Sequence, residues 1–214
     1  MAHPTWPLYD IVIRTPTVEL RLPNEAEYVE LMTQADERIY ERTGFLPFHT
    51  PWPGDGIAAM KFMYGTRANW QPDDWHLTLC TFVDGRIVGS QGLVAKDFGV
   101  VRGVSTGSWL LPDVQGRGIG REMRTAVLHF AFAGLGAVEA HSQAHVDNHA
   151  SNRVSEALGY EVTHHEGARF GDVRAESYKL VLRREVWEQH PIHRRDDIVF
   201  EGLDDTIDWF VAGA

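Results

Sequence analysis

The sequence contains a glycine-rich stretch, Pro112-Asp-Val-Gln-Gly-Arg-Gly-Ile-Gly120, between a predicted strand and a predicted helix. Its three glycines let the backbone approach a ligand closely and adopt positive φ angles. The first turn of the following helix has unpaired N–H groups and the positive end of the helix dipole. Together these features predict a site for an anion such as a pyrophosphate. A plain glycine-rich turn is the alternative interpretation.

Two familiar nucleotide-binding motifs do not fit this stretch. The dinucleotide fingerprint G-x-G-x-x-G requires glycine at position 121, where the chain has Arg121. A Walker loop requires Gly-Lys-Ser/Thr, which the stretch lacks. The sequence therefore argues against NAD and ATP as the bound anion.

The segments around the loop alternate between strand and helix patterns. Asp84-Gly85 is a strong signal for a hairpin turn, and Gly134 and Gly159 are placed to end helices. Strands are predicted over 17–22, 75–83, 86–94, 103–111, 138–146, 160–165 and 175–182, and helices over 25–40, 56–70, 119–134 and 150–158, with an ordered loop over 41–55. This order predicts one α/β domain over residues 1–185, with a mixed sheet covered by helices.

Residues 186–214 form a C-terminal tail in this division. The tail combines acidic residues with four large apolar side chains that need burial, Val199, Phe200, Trp209 and Phe210. It can be docked on the domain, form a dimer arm or be a mobile end. We predict that it contributes to a homodimer.

Composition limits the classes of partner. The 214 residues are 43% hydrophobic, which supports one substantial core, and no apolar run is long enough for a membrane span. The N-terminal residues do not resemble a signal peptide. A formal net charge of -10 argues against nucleic acid and anionic membranes as partners and favours cationic substrates such as amines. The single cysteine, Cys80, is expected in a buried strand and suits a reducing, cytoplasmic location.

A second segment strengthens the interpretation of the loop. It follows the next predicted strand and reads Asn148-His-Ala-Ser-Asn-Arg-Val-Ser-Glu-Ala-Leu-Gly-Tyr160. Val154 and Leu158 are four residues apart and share one face of a helix. Asn148 leaves the strand with a polar side chain, and Gly159 closes the helix.

The two segments resemble the GNAT superfamily of acyltransferases. Gln115, Gly118 and Gly120 match its Q/R-x-x-G-x-G/A signature. The second segment resembles the N-x-x-S-x-x-V-x-x-x-L-G-F/Y signature of the RimJ/RimL-like branch. The resemblance covers roughly residues 15–185 and is sharp over about 105–160. It implies an α/β GNAT fold, in which a mixed, mostly antiparallel sheet is splayed at a coenzyme A site and flanked by helices.

The resemblance also implies roles for individual residues. The backbone of Leu110 and Leu111 would pair with the pantetheine arm, Asn148 would contact the cofactor or order a water, and Ser151 would donate a proton to the leaving thiolate. Taken alone, Asn148 can be a helix cap and Ser151 a first-turn hydroxyl that satisfies the backbone. The pyrophosphate would be held by the loop and the start of the helix, Gln115, Gly116, Arg117, Gly118, Ile119, Gly120 and Arg121.

Two departures from the branch affect the expected chemistry. Many members have a glutamate two residues before the glycine of a Gly-x-Trp strand, and this chain has Ser105 there. A base inherited from that position is therefore unavailable. The helix after the loop often begins with Thr-Glu, and here it begins with Arg121-Glu122, so a charged contact to phosphate can replace a hydroxyl contact.

Substitutes for the missing base can only be nominated. His141 and His145 are four apart on one strand and share a face, although ordinary strand histidines are the alternative. Asp73-Asp74 precedes a strand on the expected acceptor side, or forms a solvated turn. No metal is predicted, since adjacent residues in His164-His165-Glu166 point to opposite faces and no cysteine cluster supports them.

The sequence therefore predicts an acyl-CoA-dependent N-acyltransferase. Acetyl-CoA is the default co-substrate, and succinyl-CoA or another acyl-CoA remains open. The acceptor would be a primary amine of a protein N-terminus, a lysine or a small molecule. The alternative function is a CoA-binding sensor or interaction protein that has lost catalysis, which Ser105 motivates.

Overall fold

A computed structural model describes residues 3–35, 39, 56–170 and 172–212 of the chain. Within these residues one sheet contains the strands β1 (Val12–Arg14), β2 (Glu19–Arg21), β3 (Trp75–Val83), β4 (Arg86–Ala95), β5 (Gly103–Leu110), β6 (Glu139–His145), β7 (Glu161–Phe170), β8 (Val173–Arg183) and β9 (Val199–Glu201). The helices are α1 (Glu25–Gln34), α2 (Gly56–Ala68), α3 (Phe98–Val101), α4 (Ile119–His129), α5 (His149–Ala157), α6 (Arg184–Gln189) and α7 (Ile207–Phe210).

The sheet has the spatial order β7-β8-β6-β5-β4-β3-β2-β1-β9. Every neighbouring pair is antiparallel except β5 and β6, which run parallel. A parallel pair needs a long crossover, and α4 supplies it between β5 and β6. This mixed sheet confirms the predicted fold class.

Helices cover the sheet on both faces. On one face, Arg124 of α4 bonds to Ser108 of β5 and to Ser155 of α5. On the other face, α2 places Phe62 edge-on against His76 of β3, with 5.3 Å between the ring centroids. His76 pairs with Val94 of β4, and Val94 pairs with Ser105 of β5, so these three side chains share one face of the sheet. Ser108 is three residues after Ser105, and its side chain therefore lies on the opposite face.

The central elements confirm the sequence predictions. The Asp84-Gly85 turn joins β3 and β4, which agree with the predicted hairpin to within a residue. Helix α4 begins at Ile119 as predicted, and Phe130–Gly134 continues it as a π-helical segment. Cys80 is fully buried on β3, and burial raises the pKa of its thiol, which makes it a poor nucleophile.

The first helix is shorter than predicted. Asn24 caps α1 as expected, since its Oδ1 accepts from the Glu27 N–H at 2.9 Å. The helix ends at Gln34, where Ala35 turns to an extended backbone, so the predicted extension to residue 40 is wrong. No glycine or proline marks this end in the sequence. Residues 36–38 and 40, and the loop predicted over 41–55, lie outside the described residues.

The tail completes one edge of the sheet. Strand β9 pairs antiparallel with β1, a short strand that the sequence did not predict. The Phe210 ring is fully buried, whereas Val199 is 52% exposed. The Trp70 and Trp75 indoles donate to the backbone carbonyls of residues 209 and 210 at 2.8 and 2.9 Å. The described tail residues therefore pack against the rest of the domain.

Candidate active site

The parallel pair β5–β6 is short and opens into a cleft. Pairing covers only Gly103–Ser105 of β5 and Glu139–His141 of β6. Beyond these residues, β5 stays paired with β4 up to Leu110, and β6 stays paired with β8 up to His145. The facing edges therefore separate, and we call the space between residues 106–110 and 142–145 the splay cleft.

Alternation along β5 decides which backbone groups face the splay cleft. The Leu111 N–H donates to the Val88 carbonyl of β4 at 2.8 Å, so it is engaged in the sheet. Successive strand residues direct their backbone groups to opposite sides. Leu110 and Ser108 therefore direct theirs toward the cleft. Of the two leucines predicted to meet the pantetheine arm, Leu110 has the N–H that faces the cleft.

The glycine-rich loop leads from the end of β5 into α4. Gly116 and Gly118 have φ angles of 76° and 86°, which favour glycine, and both are exposed together with Arg117. The Gly118 carbonyl accepts from the N–H groups of Arg121 and Glu122 at 3.1 and 3.0 Å. Among the described residues, the N–H groups of residues 118–120 have no acceptor. These N–H groups and the half-buried Ile119 and Gly120 form the start of α4, where an anion is stabilised.

Gln115 supports the loop from behind. Its Nε2 donates to the Leu110 carbonyl at 2.9 Å and to the Ile39 carbonyl at 3.2 Å. The side chain is half-buried and ties the loop to the last residue of β5. The structure therefore gives Gln115 a positioning contact within the protein.

Helix α5 begins beside the end of β6, with the predicted site residues Asn148 and Ser151 at its start. The Asn148 Oδ1 accepts from the Ser151 N–H at 3.2 Å, so Asn148 caps the helix. The Ser151 hydroxyl is half-buried and has no hydrogen-bond partner among the described residues. Asn152, which the sequence analysis missed, donates to the carbonyls of His145 and Val146 at 3.1 and 2.9 Å. Asn152 therefore fixes α5 to the end of β6. Nothing in its sequence position, one residue after Ser151, predicts this contact.

A buried polar cluster lies under the narrow end of the splay cleft. It consists of Thr106, Ser108, Arg124, Ser155 and Tyr160. The Thr106 Oγ1 donates to the His141 carbonyl at 3.4 Å and lies 3.5 Å from the Tyr160 hydroxyl. Arg124 donates to Ser155 Oγ at 2.9 Å and to Ser108 Oγ at 3.3 Å. Burial raises the pKa of Tyr160, which keeps its phenol neutral.

Sequence reasoning missed Arg124, although a signal was present. It stands three residues before Val127 and four before Leu128, on the apolar stripe of α4. A charged residue in such a stripe indicates either the stripe's edge or a buried charge. The structure shows the second case, since Arg124 is only 5% exposed.

The nominated bases lie on the opposite face of the sheet. Ser105 and His141 are partners in the parallel pairing and therefore share that face. The His141 Nε2 lies 3.4 Å from the Glu139 carboxylate. The His145 Nδ1 accepts from the Asp147 N–H at 3.0 Å, and its ring is buried. His141 is thus the more accessible imidazole.

A further carboxylate lies on the face of His141, beside β6. The Glu166 carboxylate is 2.9 Å from the Lys179 ammonium, which also donates to Gln143 Oε1 at 2.7 Å. The Gln143 Nε2 in turn donates to Glu166 at 3.2 Å. Since Gln143 is on the strand that borders the splay cleft, this carboxylate is held near the cleft. In the sequence, Glu166 is distinguished only by its place in the run His164-His165-Glu166, for which no metal is predicted.

Three other expectations concern sites outside the cleft. Among the described residues, no cluster of histidine, cysteine, aspartate or glutamate could hold a metal ion. Across those residues, too, no helix is both long and apolar enough to cross a bilayer. Asp73 makes backbone contacts with the tail, because its N–H donates to the Phe210 carbonyl and its Oδ1 accepts from the Ala212 N–H. It is therefore a structural turn residue.

A family model described as an acetyltransferase (GNAT) domain matches residues 17–161, about two thirds of the chain. The chain belongs to the GNAT acetyltransferase family. The predicted family is thereby confirmed, and the chain is an acyltransferase-type domain. The match begins just before β2 and ends at the start of β7, so it contains the splay cleft, the loop and α5.

Solved GNAT structures share the fold at low sequence identity. Mycobacterium smegmatis RimJ in complex with CoA-disulfide has a TM-score of 0.72 and 18% identity, over 87% of this chain and 93% of that chain. RimL, a ribosomal L7/L12 alpha-N-protein acetyltransferase in complex with coenzyme A, has a TM-score of 0.68 and 18% identity, over 82% and 99%. A GCN5-related N-acetyltransferase from Brucella melitensis has a TM-score of 0.69 and 15% identity, over 86% and 82%. RimJ and RimL are the neighbours that the resemblance to the RimJ/RimL-like branch predicts.

Proposed function

We propose that this GNAT domain transfers an acyl group from an acyl-CoA to a primary amine. The observation that carries the proposal is the alignment of the splay cleft with the start of α4. The cleft offers an unpaired strand edge, and the loop at its open end offers unpaired N–H groups. An extended pantetheine arm that ends in a pyrophosphate needs these two features in this order.

In this proposal the predicted residues of the loop and of β5 hold the cofactor. The pyrophosphate would lie on the N–H groups of residues 116–120, and the pantetheine arm along Leu110 and Ser108. The thioester would then lie at the narrow end of the cleft, near Thr106. Arg117 and Arg121 are exposed at the loop and can meet the phosphates with their positive charge.

Transfer would proceed by direct attack in a ternary complex. The amine nitrogen forms a bond to the thioester carbon, the C–S bond breaks, and the thiolate leaves. Backbone N–H groups of β5 that face the cleft would polarise the carbonyl. The Ser151 hydroxyl, which has no partner among the described residues, would donate a proton to the thiolate. The proton lost by the amine would pass to the Glu166 carboxylate or to His141, directly or through water.

The acceptor is proposed at the level of a chemical class. The net charge of -10 favours a cationic acceptor, as a protein N-terminus, a lysine or a small amine would be. The RimL neighbour acts on a protein α-amine by its own description, which makes a protein N-terminus the first substrate to test. A cytoplasmic location and a homodimer remain predictions. The described tail aromatics pack within their own chain, so their burial does not require a second copy.

The proposal is tested by release of free thiol. Acetyl-CoA and succinyl-CoA are each incubated with a panel of amines that includes peptides with free N-termini. We expect thiol release with at least one pair and a fall of at least tenfold in kcat for Ser151→Ala. Thr33→Ala, on the exposed side of α1, is the matched hydroxyl control.

Two outcomes would contradict the proposal. Binding of CoA with no turnover for any pair would favour the CoA-binding sensor instead. Thermal stabilisation by NAD or ATP, but not by CoA, would overturn the assignment of the loop.

A further inference from the structure

Arg124 is a buried cation with neutral neighbours. Its two hydrogen bonds go to the hydroxyls of Ser155 and Ser108. Its Nε is buried and has no acceptor among the described residues. A guanidinium stays protonated in proteins, so this group brings a full positive charge into the interior.

No carboxylate compensates this charge within the described part of the chain. None of the ion pairs among the described residues includes Arg124, and the ionisable side chain that acts on it electrostatically is the neutral phenol of Tyr160. Burial lowers the pKa of Arg124, as expected for a cation that has lost water without gaining an anion. An uncompensated buried charge is strongly destabilising. The site therefore favours an anion that arrives with a ligand.

The guanidinium lies beside the end of the splay cleft where the thioester is proposed to bind. Ser108, which it contacts, directs its backbone groups into the cleft and is two residues from Thr106 at the narrow end. Ser155 is one helical turn after Ser151, the proposed proton donor for the thiolate. An acyl chain that continues from the thioester into this face would approach Arg124.

We propose that Arg124 binds the terminal carboxylate of a dicarboxylic acyl group, so that the domain selects acyl-CoAs of the succinyl class over acetyl-CoA. The proposal rests on the proposed acyltransferase function and adds its donor class. A carboxylate matches the planar fork of a guanidinium, which can donate to both oxygens. An acetyl group offers no partner for the charge. Arg124 is thus a specificity-determining residue, and it takes no part in bond making.

The test compares acyl donors of similar length with and without the charge. We measure kcat/KM for succinyl-CoA, butyryl-CoA and acetyl-CoA in the wild type, Arg124→Met and Arg124→Lys. Methionine keeps an unbranched side chain without the charge, and lysine keeps the charge without the fork. We expect the wild type to prefer succinyl-CoA to butyryl-CoA at least tenfold. Arg124→Met should lower this ratio at least tenfold, and Arg124→Lys should lower it less.

A purely structural role for Arg124 gives a different result. If Arg124 only holds α4, α5 and β5 together, its substitution lowers kcat/KM for all three donors equally and leaves the ratio unchanged, which would overturn the proposal. A wild type that uses acetyl-CoA or butyryl-CoA as well as succinyl-CoA would overturn it too.

The affinity of the wild-type protein for different acyl-CoAs tests the carboxylate site at Arg124 even if the variants do not fold. Calorimetric titration with succinyl-CoA, butyryl-CoA and free CoA should show the tightest binding for succinyl-CoA, by at least fivefold over butyryl-CoA. Equal affinities would contradict the carboxylate site while leaving the acyltransferase function intact. Failure to bind any of the three would instead contradict the proposed function.

Discussion

Gly118 and Gly120 lie two residues apart in the loop but have different backbone conformations. Gly118 has a φ of 86°, whereas Gly120 belongs to the first turn of α4. A methyl group at either position would meet no close atom, since the nearest one to Gly120 is a Leu110 methyl at 3.7 Å. An alanine at either position is therefore free of steric crowding, and only the one at position 118 is strained in its backbone.

We predict opposite effects of alanine at these two positions. Gly118→Ala should destabilise the fold by about 1 kcal/mol, because an L-residue is strained at positive φ. Gly120→Ala should leave stability unchanged or raise it by up to about 1 kcal/mol, because alanine favours the helix. Urea unfolding of both variants without ligand measures the difference. Equal losses would show that the loop conformation at Gly118 is not the one described.

A second residue-scale prediction concerns pH. The buried His193 ring bonds to the Leu158 carbonyl at 3.0 Å, and burial lowers its pKa to about 4. An unfolded histidine has a pKa of about 6.5, so between these values the unfolded state takes up a proton that the folded state does not. Protonation of His193 therefore does not reduce the free energy of unfolding above pH 6.5, and that free energy falls as the pH drops from 6.5 towards 4. The loss by pH 5 should be about 2 kcal/mol.

Denaturant unfolding at pH 7 and pH 5 measures this loss. In His193→Gln, which keeps an N–H donor but does not titrate, the difference between the two pH values should shrink by about 2 kcal/mol. His164→Gln is the matched control, because His164 is exposed on β7. An unchanged pH dependence in His193→Gln would contradict the assignment.

At the scale of elements, the tail holds the first turn of α4. Arg195 donates to both carboxylate oxygens of Glu122 at 2.8 and 2.9 Å, and it also pairs with Asp197. The Arg195 and Glu122 side chains are each 21% exposed. Burial alone would raise the pKa of Glu122, but the hydrogen bonds from Arg195 and Thr15 outweigh it and lower that pKa.

We predict that Arg195→Ala destabilises the protein by about 2 kcal/mol, because Glu122 loses a bidentate, partly buried partner. Arg194→Ala should have little effect on stability, because the Arg194 side chain is exposed. Thermal unfolding of both variants makes the comparison. CoA affinity should fall as well in Arg195→Ala, because Glu122 lies on the turn proposed to hold the pyrophosphate.

The elements also show what the sequence could and could not predict. The hairpin at Asp84-Gly85 and the start of α4 were predictable, because turn chemistry and glycine placement specify them locally. Strands β1 and β9 were not, since each has three residues and their pairing joins chain segments almost two hundred positions apart. Long-range pairing leaves no periodic signal in so short a strand.

The candidate site shows the same limit. Motifs located the loop, Asn148 and Ser151, because their spacing is local. The burial of Arg124 depends on three elements that meet only in the fold. The contact between Glu166 and Gln143 likewise joins β7 to β6 across β8. Neither the burial of Arg124 nor the contact between Glu166 and Gln143 could be derived from the residues next to them in the sequence.

At the scale of the whole molecule, the tail supplies part of the main core. The Phe210 ring contacts the rings of Trp70, Trp75 and Phe130, with centroid distances between 5.0 and 6.0 Å. We predict that Phe210→Ala lowers the free energy of unfolding by about 3–5 kcal/mol, because it leaves a cavity among these rings. Val199→Ala, at a site 52% exposed, should change it by less than about 0.5 kcal/mol. Denaturant unfolding distinguishes the two, and a loss below about 1 kcal/mol for Phe210→Ala would contradict the described packing.

The position of β9 has a consequence for biosynthesis. Val12 leaves the ribosome long before its outer partner, Glu201, has been synthesised. At about 5–20 residues per second, roughly 10 to 40 seconds separate their synthesis. During that time β1 presents an open edge to other nascent chains on the same messenger. Translation that stops before β9 is made would leave that edge open permanently, and such products should be prone to aggregation and degradation.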